Sequence, residues 1–151
     1  MVELSSTVEA CINRINRRAD FISRNEEDIL ADSLAACLHY FYTGLESIFE
    51  TIATEVDGGS PRGESWHKKL LTQMSAEIPQ VRCPVISPAS QEHLDAFRAF
   101  RHPFRNLYTH KVDPDRIFLL AGELQVTWQT VEADLLNFLS FLAGLDNART
   151  T

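Results

Sequence analysis

Two long runs of apolar residues at helical spacing limit this chain more than any other feature. In the first, Leu30, Leu34, Leu38, Phe41, Leu45, Ile48, Ile52 and Val56 recur every three or four residues, the signature of one face of an α-helix. In the second, Ile117, Leu120, Leu124, Trp128, Val131, Leu135, Phe138 and Leu142 do the same. Both runs are too long for strands, and both need a partner surface to cover them. Gly44 alone interrupts the first run, which predicts close approach of a neighbouring helix. Asn25, followed by Glu26, Glu27 and Asp28, predicts an N-cap with acids in the first turn, where the helix dipole favours them.

The remaining segments read as shorter helices between breakers. Residues 6–22 place Val8, Ile12, Ile15, Ala19 and Ile22 on one stripe, predicting a single amphipathic helix. Asp57-Gly58-Gly59-Ser60-Pro61-Arg62-Gly63 is a loop. A helix from Glu64 to about Ile78 follows, carrying Trp66, Leu70, Leu71 and Met74 and stopped by Pro79. Ser87-Pro88 and Asp113-Pro114 each supply a capping side chain followed by proline at the first helical position. The only strand candidate, 81–86, contains Pro84, which argues against it. The expectation is an all-α, compact bundle of about five helices, two of them long, forming a single domain over 1–151, with 148–151 frayed.

At 151 residues, with 44% hydrophobic and 23% charged residues, the chain can bury a real core. No apolar run reaches the length of a membrane span and no basic-then-apolar leader is visible, so a cytoplasmic protein without a membrane partner is expected. Cys11, Cys37 and Cys83 are odd in number and match no metal-ligand spacing, which predicts free core thiols and no metal. The net charge of −7 argues against a broad nucleic-acid coat, so no DNA partner is expected. A local phosphate site on an acidic body stays open, as does docking to an acidic partner.

The chemistry concentrates between Phe97 and His110. Phe97, Phe100, Phe104 and Leu107 form an apolar helical stripe, and Arg98, Arg101 and Arg105 form a cationic strip beside it, with no acid between Arg98 and His110. The chain has no P-loop, GxGxxG, HExxH or GxSxG, and no paired carboxylates placed for a metal-dependent nuclease. A reaction on phosphate that uses no metal and no cofactor is what these residue types allow. Such chemistry wants a group titrating near neutrality and a fixed cation for phosphate oxygens, and His110 and Arg105 are the right types. Five residues separate them, roughly 140° on an ideal helix. They meet either if the helix loosens near its end, which Pro103 favours, or if two copies of the chain share one cleft.

Arg105-Asn106-Leu107-Tyr108-Thr109-His110 resembles the Arg-x4-His motif, with Asn after the arginine, of HEPN-superfamily ribonucleases. The surroundings resemble HepT-type toxins: Tyr40-Phe41-Tyr42-Thr43-Gly44-Leu45-Glu46, the loop ending in Ser65-Trp66-His67, Phe100-Arg101-His102, and Glu132-Ala133-Asp134-Leu135. The resemblance runs from about Ala31 to Leu142. It implies an HEPN-like bundle that forms a homodimer, a metal-independent endoribonuclease site at the dimer cleft, an RNA substrate, and a cognate minimal nucleotidyltransferase antitoxin. By matching positions, Arg105 binds and polarises the scissile phosphate, His110 transfers the proton and Asn106 orients them. Some HepT members carry a tyrosine two residues after the histidine, where the antitoxin attaches AMP. Here that position is Val112, and Tyr108 is the nearest hydroxyl, a candidate for modification. Arg98, Arg101 and His102 are candidate RNA contacts, with acid-paired or packing roles as the alternative. Tyr40 and Tyr42 read as core and rim aromatics, Trp66 as a core anchor and Trp128 as a core residue. The alternative function is a non-catalytic HEPN module that binds a nucleotidyltransferase and its nucleotide or substrate.

Overall fold

The computed structural model describes residues 1–104 and 113–149, with side chains described outside 102–104 and 146–149. These residues form six helices: α1 (Val2–Ile15), α2 (Arg18–Ser23), α3 (Glu27–Glu55), α4 (Trp66–Ser75), α5 (Pro88–Phe104) and α6 (Pro114–Arg149). There is no named strand among them, only a single bridge pairing Ile78 with Arg82. The all-α bundle with two long helices is therefore as expected. No helix among the described residues is long and apolar enough to cross a membrane.

Helix α3 is the hub, packing against α1, α2, α4, α5 and α6. At 29 residues it spans about 43 Å at 1.5 Å per residue, and its buried side chains run from Leu30 to Ala53. Phe41 sits at the crossing, with its ring edge-on to Phe97 of α5 at 5.5 Å and to Trp128 of α6 at 6.0 Å. Such edge-to-face pairs add directional preference to area burial. Gly44 admits α1, since a Cβ built there would lie 2.8 Å from Leu4 Cδ2.

Several expectations need correction. The predicted first helix is two, because the chain turns at Asn16–Arg17 with Arg17 N bonded to Arg14 O and Asp20 N to Arg17 O. These i to i+3 bonds tighten the turn and shift the phase of the stripe, so Ile22 is exposed while Phe21 packs against the core. Asn25 does not cap α3: it takes a left-handed conformation (φ 57°), and Glu26 precedes the helix without a side-chain cap bond. Helix α4 stops at Ser75, before Pro79. The chain peels away there because Val85 N takes the Met74 carbonyl and Arg82 Nη1 takes the Ala76 carbonyl. Cys11 and Cys37 are buried free thiols as expected, but Cys83 is exposed.

The loop after α3 is tied down by charge. Arg82 and Asp57 form a two-pronged ion pair, with Nη2 to Oδ2 at 2.7 Å, and both side chains are almost fully enclosed. Arg82 also donates to the Ala76, Cys83 and Gln73 carbonyls, and Gln73 Nε2 donates to Asp57. This network fixes the C-terminal end of α4 to the loop that follows α3.

Candidate functional site

The helix that leads into the arginine–histidine motif is α5, and its start is anchored as the sequence predicts. Ser87 Oγ accepts from Ser90 N at 3.2 Å, and Pro88 occupies the first helical position. What the sequence did not announce is the partner. Asp134 of α6 accepts from Ser87 N, Ser87 Oγ and Ser90 Oγ through one oxygen at 2.6 to 2.8 Å. An anion at a helix N-terminus meets both the free amides and the dipole. Asp113 caps α6 in the same manner, accepting from Asp115 N.

Along α5, Leu94, Phe97 and Phe100 are buried in the core. That rotation sends Arg98 and Arg101 toward the α3–α4 side, where each meets an acid. Arg98 Nε donates to Asp95 on its own helix at 2.7 Å. Arg101 reaches across to Glu46 of α3, with Nη2 to Oε1 at 3.4 Å, and to His67 of α4, with Nη1 to Nε2 at 2.7 Å. Glu46 Oε2 lies 2.6 Å from His67 Nδ1. The cationic strip is thus acid-paired at both described positions.

The side of α3 facing this cluster is polar for two turns. Burial, reinforced by the charge of Glu46, pushes the Tyr42 phenol up, against the opposing pull of Arg98 and Arg101. Burial, then the positive charge of Arg101, pushes His39 down. Tyr42 is core and Tyr40 is exposed, as expected of core and rim aromatics. Trp128 is buried in the core. Trp66, expected as a core anchor, is instead only partly buried and lies over His67, with ring centroids 3.6 Å apart.

Arg105, Asn106, Tyr108, His110 and Val112 lie outside the described residues, as does the side chain of His102. Among the described residues the structure brings together Arg101, Glu46 and His67, of which only Arg101 was a candidate site residue. Glu46 had a readable signal. It falls on the stripe Tyr42, Glu46, Phe49 and Ala53, all buried, so an acid there must find a partner indoors. His67 had none beyond its place after Trp66. Among the described residues, no group of three or more His, Cys, Asp or Glu side chains is placed to hold a metal ion.

A search of curated proteins and one of solved structures each find no match to the chain. The family model of HepT-like proteins matches residues 33–142. That span takes in nearly all of α3, the whole of α4 and α5, and most of α6, and it carries the anchoring residues Glu46, His67, Arg101 and Asp134 in a single stretch. By this match over most of its length, the chain belongs to the HepT-like protein family.

Proposed function

We propose that this protein is a metal-independent endoribonuclease toxin of a HEPN–nucleotidyltransferase pair, acting as a homodimer with Arg105 and His110 of both copies around one cleft. The observation that supports this reading most is that the HepT-like match spans the Arg105–His110 motif together with the helices before and after it. RNA carries its own nucleophile, so cleavage needs proton transfer, in-line positioning and charge stabilisation on the phosphorane. His110 serves as the proton-transfer group at the 2′-hydroxyl, Arg105 neutralises the non-bridging oxygens, and Asn106 orients the two. The products are a 2′,3′-cyclic phosphate, or the 3′-phosphate derived from it, and a 5′-hydroxyl. The partner is a minimal nucleotidyltransferase that neutralises the toxin by binding or by attaching AMP. With Val112 at the usual tyrosine position, Tyr108 is the candidate acceptor of that group.

The test is cleavage of single-stranded RNA by the purified protein in EDTA. Arg105→Ala is expected to lower the rate about a hundredfold, on the order of 3 kcal/mol, and His110→Ala by roughly 10² to 10⁴. Circular dichroism should be unchanged in both. Activity lost in EDTA and restored by magnesium would overturn the mechanism. Alanine variants as active as the wild type would overturn the site.

A further inference from the structure

We propose that His67 is a positioning residue for the same reaction: seated on Glu46, it fixes Arg101 as a hydrogen-bond relay and not as a proton-transfer group. The proposal rests on the ribonuclease reading above.

Hydrogen-bond chemistry assigns the roles. A guanidinium only donates, and Arg101 Nη1 lies against the imidazole, 2.7 Å from His67 Nε2 and 3.3 Å from Nδ1. A carboxylate only accepts, so His67 Nδ1 carries a proton and donates it to Glu46 Oε2 at 2.6 Å. Glu46 completes the triangle by accepting from Arg101 Nη2 at 3.4 Å. The side chains of Glu46, His67 and Arg101 keep 4%, 22% and 18% of their exposure, so the triangle is largely shielded and its members gain little from bulk water. The indole of Trp66 lies 3.6 Å from the imidazole by ring centroids and holds its plane.

Three helices meet in this triangle: α3 supplies the acid, α4 the imidazole and α5 the guanidinium. Arg101 stands four residues before Arg105 in the chain. Its side chain therefore ties the last described turn of α5 to α3 and α4, just ahead of the motif in the chain. A histidine in contact with an arginine that precedes the motif by four residues invites the reading of a second general base. The geometry opposes it, because both ring nitrogens already lie against protein partners, Nδ1 against Glu46 and Nε2 against Arg101.

Glutamine separates the two roles. Its carboxamide can donate to Glu46 and accept from Arg101, yet it does not titrate near neutrality. The experiment measures kcat and KM on one RNA for wild type, Arg105→Ala, His67→Ala, His67→Gln and Arg101→Lys. Misplacement on this scale costs roughly ten- to a hundredfold, so His67→Ala should lose that much in kcat with KM little changed. His67→Gln should recover most of the loss. Arg101→Lys should behave as His67→Ala does, since a compact ammonium does not reproduce the planar fork that meets both partners. It also keeps the proposal testable if the alanine variant does not fold. Wild-type kcat in His67→Ala or Arg101→Lys would overturn the proposal, and so would a His67→Gln variant as impaired as His67→Ala. An inactive wild type, or an Arg105→Ala variant as active as wild type, would instead bring down the ribonuclease reading, and this inference with it.

Discussion

Two arginines in this molecule meet buried acids, and they meet them in opposite ways. Arg82 and Asp57 are closed off from solvent, and the guanidinium is spent on one carboxylate and three backbone carbonyls. Arg101 and Glu46 share their contact with a histidine, stay partly open, and leave Arg101 Nε without a partner among the described residues. The first arrangement staples a loop to a helix end and offers nothing outward. The second lies on α5 three residues short of its last described position, next to the motif. A fully satisfied network specifies structure, whereas one with spare hydrogen-bonding capacity at a rim has room for chemistry or adjustment.

The sharpest way to break this contrast is Asp57→Ala. It leaves Arg82 charged, enclosed and without its anion, a change that costs roughly 3 to 5 kcal/mol. Chemical denaturation should show that loss, and raised salt should recover little of it, because mobile ions do not reach a dry pair. Glu46→Gln should cost less, about 1 to 3 kcal/mol, since water can reach part of Arg101, and its penalty should shrink as salt rises. Equal costs at the two positions would mean that the open cluster is as structural as the closed one.

A third polar contact extends the comparison to the α1–α3 seam and carries the smallest expected effect. Arg14 Nη1 donates to Cys37 Sγ at 2.7 Å. A hydrogen bond from Cys11 draws the Cys37 thiol down most, burial opposes it, and the charge of Arg14 adds to the lowering. A folded-state value below the unfolded one stabilises the fold above the unfolded value and loses that contribution as pH falls through the folded value. Wild-type stability should therefore gain relative to Cys37→Ser as pH rises toward the ordinary thiol value. A neutral-strength hydrogen bond of about 1 kcal/mol would make that difference about 2 to 4 °C in melting temperature. A Cys37→Ser variant whose pH profile parallels the wild type would remove this seam from the comparison.

The helices were legible because periodicity and capping act locally. The apolar run from Leu30 to Val56 became α3, the run from Ile117 to Leu142 lies within α6, and Ser87-Pro88 and Asp113-Pro114 mark two helix starts. The break at Asn16–Arg17 was not legible, because Val8, Ile12, Ile15 and Ala19 keep step across it and only the turn bonds reveal the slip. The early end of α4 was hidden for a related reason: its cause is Arg82 and Val85, which come after it in the chain. At the candidate site, the pattern told which face of α5 carries arginine but not that Glu46 and His67 receive it. Periodicity assigns faces, while the choice of partner is made by tertiary packing. The roles proposed for Arg105, Asn106 and His110 rest on the motif alone.

The cap that Asp134 places on α5 has a consequence for the order in which the molecule is completed. Ser87 precedes Asp134 by 47 residues. At synthesis rates of 5 to 20 residues per second, the start of α5 exists for roughly 2 to 9 s before its anchoring carboxylate is made. During that interval the first turn of α5 has only Ser87 Oγ to satisfy it. The helix that leads to Arg105 is thus finished out of chain order, and a polypeptide ending before residue 134 would present it with an unsecured start.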